Sequence, residues 1–204
     1  MKTIKRLGYT LIHPFAGFND CIEARRFPLA QVWIILALLF LGSVLQQQYS
    51  GFLFNFHDPN ELNILFVFGR TVMLFLLWCA ANWAITTLFE GKGTLRQIMY
   101  ASAVAIIPYV ISLYLYTLLS NVMLQEEQAF LTIIQWAGIL FSVFVMMAAL
   151  MTIHDYTLRQ VILSALASVA FILIVLFLAV IIFSLFQQAY GFFKDVFNEL
   201  ALLL

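Results

Sequence analysis

Apolar positions in this chain come in five long runs separated by short polar stretches. The runs cover about residues 28–49, 63–89, 95–120, 129–153 and 157–186. A helix rises about 1.5 Å per residue, so each run is long enough to cross a hydrocarbon core about 30 Å thick. Pro28 suits the first position of the first helix. Ser50 to Leu62 is a polar loop with Asp58, Pro59 and Glu61 and no Lys or Arg. Glu90-Gly91-Lys92-Gly93 turns the chain between the second and third runs. Asn121 to Gln128, with Glu126 and Glu127, forms a short acidic loop before the fourth. The pattern predicts an all-α integral membrane protein built as a five-transmembrane-helix bundle.

The two ends read differently. In residues 1–27, Ile4, Leu7, Leu11, Phe15, Phe18 and Ile22 recur at helical spacing with basic residues between them. Pro14 interrupts the run, because it has no N–H and pushes His13 toward extended geometry. Two short amphipathic helices in the membrane interface are expected here, with Lys2, Lys5, Arg6, Arg25 and Arg26 toward anionic headgroups. A disordered basic arm is the alternative. In residues 187–204, Phe193, Val196, Phe197, Leu200 and Leu204 share one helical face, which predicts an amphipathic tail on the other membrane surface.

Composition sharpens the class. The chain is 64% hydrophobic and 10% charged, against roughly a quarter charged in soluble domains. Its formal net charge of zero argues against nucleic acid as a partner. The distribution of charge is informative. Lys2, Lys5, Arg6, Arg25, Arg26, Lys92, Arg96 and Arg159 fall on one side of a five-span model, and Lys194 alone falls on the other. By the positive-inside rule the N-terminus is cytoplasmic, and an odd number of spans puts the C-terminus outside. A cleaved signal peptide is not expected, because His13, Pro14, Asn19 and Asp20 interrupt any apolar core. Cys21 and Cys79 lie too far apart in this topology to suggest a disulfide framework.

One internal echo stands out. Thr94-Leu95-Arg96-Gln97 opens the third span and Thr157-Leu158-Arg159-Gln160 opens the fifth. Thr followed three residues later by Gln is a capping-box pattern. Either the second-third and fourth-fifth helix pairs are parallel repeats, or one good cap has been used twice.

The stretch from Asn82 to Pro108 resembles the Yip domain family, named for Ypt/Rab-GTPase-interacting membrane proteins. Asn82-Trp83, Leu88, the Glu90-Gly91-Lys92-Gly93 turn, Tyr100 and Ile107-Pro108 carry the resemblance. Pro14 with Phe18, and His154-Asp155-Tyr156, are similar to the short bacterial members. The resemblance implies a five-span α-helical domain with a cytoplasmic N-terminus, residing in the cell membrane or, in a eukaryote, an endomembrane. Eukaryotic relatives act in early secretory traffic, bind prenylated Rab-type GTPases and assemble with one another. Those relatives have a longer cytosolic N-terminal region. Residues 1–27 are too few for a folded soluble module, so GTPase binding is not carried over.

Few residues offer chemistry. Cys79, Asn82 and Thr86 share one helix face, and an amide within a membrane needs a partner. Asn82 reads as interhelical glue, with a polar pocket wall as the alternative. Arg70, about two turns inside the second span, either snorkels toward Asp58 and Glu61 or marks a polar path with Asn82 and Thr86. Gly91 and Gly93 permit positive φ in a tight turn. The N–H groups of Gly93 and Thr94 either hold an anion or sit on a solvated turn. Pro108 is expected to kink the third span. His13, Asp20, Glu90, His154 and Asp155 share a side, but no ligand-spaced pair exists, so neither metal nor cofactor is expected. Asp155 is expected to cap the fifth helix. No nucleophile–base set is visible, which argues against an enzyme.

The function expected is therefore a non-catalytic membrane scaffold or adaptor. Glu90, Gly91, Lys92, Gly93, Arg96, His154, Asp155 and Arg159 would dock another membrane protein or a second copy. The alternative is a small transporter, channel or lipid-translocating protein with a polar path near Arg70 and Asn82.

Overall fold

The computed structural model describes residues 2–55 and 62–203, with side chains for 5–55 and 62–194. The described residues form helices without strands. These are α1 (Lys2–Ile12), α2 (Pro14–Glu23), α3 (Leu29–Tyr49), α4 (Ile64–Leu88), α5 (Leu95–Leu119), α6 (Gln128–His154) and α7 (Leu158–Leu203). A 3₁₀ turn at Gln125–Glu127 leads into α6. From α3 onward, the five long helices are each long and apolar enough to cross a membrane. The expected five-helix all-α architecture is what the chain adopts.

α5 is the central helix. Nearly half of its residues are buried, including a run from Ala101 to Ala105 rich in small side chains. Small side chains let backbones approach closely, which is how helices associate where lipid competes for apolar surface. α5 packs most extensively on α6, and next on α3. At the α5–α6 crossing, a Cβ on Gly138 would collide with Ser112 and come within 3.1 Å of the Pro108 carbonyl oxygen. Pro108 lies inside α5, which continues to Leu119. The next N–H, of Tyr109, donates to Ser142 Oγ of α6 at 2.9 Å.

α4 packs mainly on α7, and α5 on α6. Each helix of the α4–α5 hairpin thus packs more closely on the α6–α7 hairpin than on its own partner. At the end where α3 and α5 finish, Gly51 N–H donates to Ser120 Oγ at 3.0 Å. Asn121 Nδ2 donates to the Tyr49 carbonyl at 2.8 Å.

Two departures from the sequence pattern concern the ends. The chain breaks at His13–Pro14 as expected, and Lys5, Arg6, Arg25 and Arg26 are exposed. α2, however, is part of the core. Phe18 and Cys21 have no exposed surface and pack with Tyr100, Ala101, Val145 and Ala149 of α5 and α6. Gly17 permits α1 and α2 to touch, since a Cβ there would lie 2.5 Å from Thr10 Cα. At the other end, α7 runs unbroken past the boundary expected at Phe186. Nothing between Gln187 and Leu203 forbids a helix: there is no proline, and Gly191 costs a helix only about 1 kcal/mol. Its 46 residues span about 69 Å, more than twice the hydrocarbon thickness. None of its most apolar window is buried. The face expected from Val196, Phe197, Leu200 and Leu204, the headgroup contact of Lys2, and the loop residues Asp58, Pro59 and Glu61 lie outside the described residues or side chains.

Candidate functional site: two interlocked helix ends

The residues of interest gather where α4 and α6 end and α5 and α7 begin. α4 closes with a hydrogen bond from Gly91 N–H to the Thr86 carbonyl at 2.8 Å, around Glu90 at φ 57°. α6 closes in the same way, with Tyr156 N–H donating to the Met151 carbonyl at 3.0 Å around Asp155 at φ 58°. In each closure an N–H five residues on bonds back, and the residue before it sits in the left-handed region where glycine is cheapest. Here a carboxylate residue occupies that position both times. The glycines of the turn were expected to supply the positive φ; Glu90 supplies it, and no described glycine has positive φ.

Gly91 and Gly93 are required for another reason. A Cβ on Gly91 would lie 2.6 Å from His154 Nδ1 and 2.8 Å from Tyr156 Oη. One on Gly93 would lie 2.6 Å from both His154 Cε1 and Ile153 Cγ2. The glycines are the socket into which the α6 end fits.

Three bonds fill that socket. Gly93 N–H donates to His154 Nδ1 at 3.3 Å. Tyr156 Oη donates to the Phe89 carbonyl at 2.8 Å and lies 3.3 Å from that of Thr86. Lys92 Nζ meets Asp155 Oδ2 at 2.7 Å. His154 is 2% exposed and stacks on Tyr156 with centroids 5.2 Å apart. Because its Nδ1 accepts, the ring is neutral with its proton on Nε2. That Nε2 is buried without a hydrogen-bond partner among the described residues. The Lys92 hydrogen bond and charge hold the Asp155 carboxyl below the usual aspartate range. Burial, then the Glu90 charge, push the Tyr156 phenol up.

The sequence placed Asp155 as the cap of α7. Asp155 instead ends α6, and Thr157 opens α7, its N–H donating to Gln160 Oε1 at 2.8 Å. Thr94 and Gln97 form the matching capping box on α5. Arg159 is exposed on the first turn of α7. Arg96 leaves the group: its Nε donates to the Phe27 carbonyl at 2.8 Å, toward the α2–α3 linker. Thr94 N–H, one of the expected anion donors, is taken by Gln97 Oε1 at 2.8 Å.

The intramembrane polar residues divide into two places. Asn82 and Thr86 are buried, with Asn82 Nδ2 3.5 Å from Ser168 Oγ of α7 and Thr86 Oγ1 donating to the Asn82 carbonyl at 2.7 Å. Arg70 lines a cavity of about 760 Å³ with Phe75, Trp78, Tyr109, Ser142 and Met146, between α4 and α6; neither Asn82 nor Thr86 lines it. Arg70 also borders a smaller polar cleft with Gln46, Ser50 and Tyr116. Among the described residues no three His, Cys, Asp or Glu side chains are grouped to hold a metal, and Cys21 and Cys79 are free.

Sequence reasoning missed Tyr156 as the residue that caps α4 from the α6–α7 turn, and Ser168 as the neighbour of Asn82. It also missed Gly138 and Ser142, although they share a face four residues apart. The family model of the Yip1 domain matches residues 8–182. The chain belongs to the Yip1 domain family. The match takes in both interlocked turns and all or part of every helix, so the protein is a multi-pass membrane protein of Yip1 type in contact with lipid. No curated protein and no solved structure matched the chain.

Proposed function

We propose that this Yip1-family protein is a non-catalytic membrane scaffold or adaptor. It docks another membrane protein, or a second copy, on the face formed by the two interlocked turns. One observation carries the reading. Three bonds and two glycine sockets join the α4–α5 turn to the α6–α7 turn, so Glu90, Lys92, Asp155 and Arg159 stand exposed on one preorganised surface. Preorganisation lowers the entropy cost of binding. The basic residues of this face support a cytoplasmic orientation in the cell membrane. The test is affinity purification in mild detergent of the wild type beside Glu90→Ala/Arg159→Ala, which leaves the three bonds intact. A stoichiometric membrane partner, or self-association, lost in the variant is the expected result. A protein that purifies as a lone monomer in both forms would sink the reading.

A second reading rests on the cavity beside Arg70. About 760 Å³ of mostly apolar space with one guanidinium suits a lipid-handling protein better than an aqueous conduit. Lipid scrambling in liposomes, reduced by Arg70→Ala, would favour it over the scaffold.

A further inference from the structure

A second cleft lies away from the interlocked turns, where α1, the α2–α3 linker and the start of α5 meet. Arg6, Arg25, Arg26 and Arg96 line it, with Phe27, Pro28, Gln31 and Tyr100. Among the described residues no acidic side chain lines it, and the one ion pair, Lys92 with Asp155, is elsewhere. Four arginines therefore line one cleft with no carboxylate among the described residues that line it. Like charges gathered at one cleft repel weakly through water, and an anion held among them relieves that repulsion.

The backbone is arranged to bring them there. α2 ends with Arg26 N–H bonded to the Cys21 carbonyl at 3.1 Å and Arg25 N–H to that of Ile22 at 3.0 Å. This closure places Arg25 at φ 48°, the left-handed position where glycine is usual and a side chain is strained. Arg96 is pinned by its Nε to the Phe27 carbonyl, which leaves its terminal N–H groups to face an acceptor. Phe27 is buried edge-on to Tyr100, 5.7 Å between centroids, and forms a fixed apolar wall. Gln31 Oε1 is buried at the cleft without a hydrogen-bond partner among the described residues, suited to a ligand hydroxyl.

We propose that this cleft binds a phosphate group carried on a hydroxylated headgroup. Guanidinium forks match phosphate oxygens in pairs, and Gln31 Oε1 accepts from a neighbouring hydroxyl. The volume of about 470 Å³ exceeds the need of a bare ion and falls in the range of small-molecule sites. The source is either an anionic phospholipid, entering beside the first turns of α3 and α5, or a water-soluble phosphate ester.

Native mass spectrometry of the purified full chain tests this, with phosphatidylglycerol, phosphatidylcholine and glycerol 3-phosphate as separate probes. One phosphatidylglycerol is expected to bind in preference to phosphatidylcholine. Arg6→Gln/Arg26→Gln should weaken it about tenfold or more, whereas Lys194→Gln, a cation removed from α7 outside the cleft, should leave it unchanged. Binding of the lipid alone assigns the site to a headgroup. Comparable binding of glycerol 3-phosphate, equally sensitive to the arginines, assigns it to a soluble ester. Should the double variant fail to fold, Arg26→Gln alone serves, since its side chain makes no hydrogen bond among the described residues. Binding that ignores the cleft arginines, or that Lys194→Gln weakens as much as Arg26→Gln, overturns the proposal.

Discussion

Gly93 shows how a single hydrogen atom in place of a methyl group fixes the relation of two helix ends. Its missing Cβ admits the His154 ring, and its N–H holds that ring at Nδ1. Gly93→Ala and Gly91→Ala should each destabilise the protein by about 1–3 kcal/mol through overpacking. Gly8 in α1 meets nothing within 4 Å, so Gly8→Ala should instead be neutral or stabilising by up to about 1 kcal/mol. Thermal or denaturant unfolding in detergent reads all three, and equal effects would contradict the socket. The Lys92–Asp155 pair behaves differently, because both side chains are largely exposed. The folded pKa of Asp155 lies below its ordinary 3.8. Its contribution is therefore complete above the unfolded value and is lost as pH falls through the depressed folded value. Asp155→Asn should leave the melting temperature at neutral pH nearly unchanged, and should reduce the salt-sensitive part of the acid-induced loss below about pH 4. At this scale the sequence showed which residues were polar and close in the chain. It did not show that Glu90 rather than a glycine takes the positive φ, because that depends on how α4 closes.

Among the helices, the closest contact is between α5 and α6. Gly138 abuts Ser112 and the Pro108 carbonyl, while Tyr109 N–H reaches Ser142. Gly138→Ala should cost more than about 1 kcal/mol, because backbone and side chain both stand in its way. Ser112→Gly should recover part of that loss, so the two changes should be non-additive in a double-mutant cycle. Additive costs would show that the helices separate freely at this point. Helix existence was legible from the apolar runs, and the capping residues Thr94 and Thr157 marked two starts. The extent of α7 was not, since a polar pair such as Gln187-Gln188 reads as a boundary although it fits a helix well. The burial of α2 was not legible either. Phe18 and Ile22 show the same helical spacing whether the apolar face meets lipid or protein.

For the molecule as a whole, α4 packs mainly on α7 and α5 on α6, so the two hairpins interlock around the α5–α6 contact. Single cysteines at Lys92, Arg159 and Asn121, in a Cys21→Ser/Cys79→Ala background, should report the orientation in whole cells. An impermeant thiol reagent should label the Asn121 position and spare the other two; the reverse pattern would invert the topology. Sequence alone determined that five segments are long and apolar enough to span a bilayer. It also placed the basic residues at alternate turns, because apolar length and charge placement are properties of the chain. Tertiary structure alone decided which turns touch. His154 and Gly93 are distant in sequence, and nothing in either segment specifies the other. Their contact exists because α4 and α6 end on the same face and two glycines leave room between them.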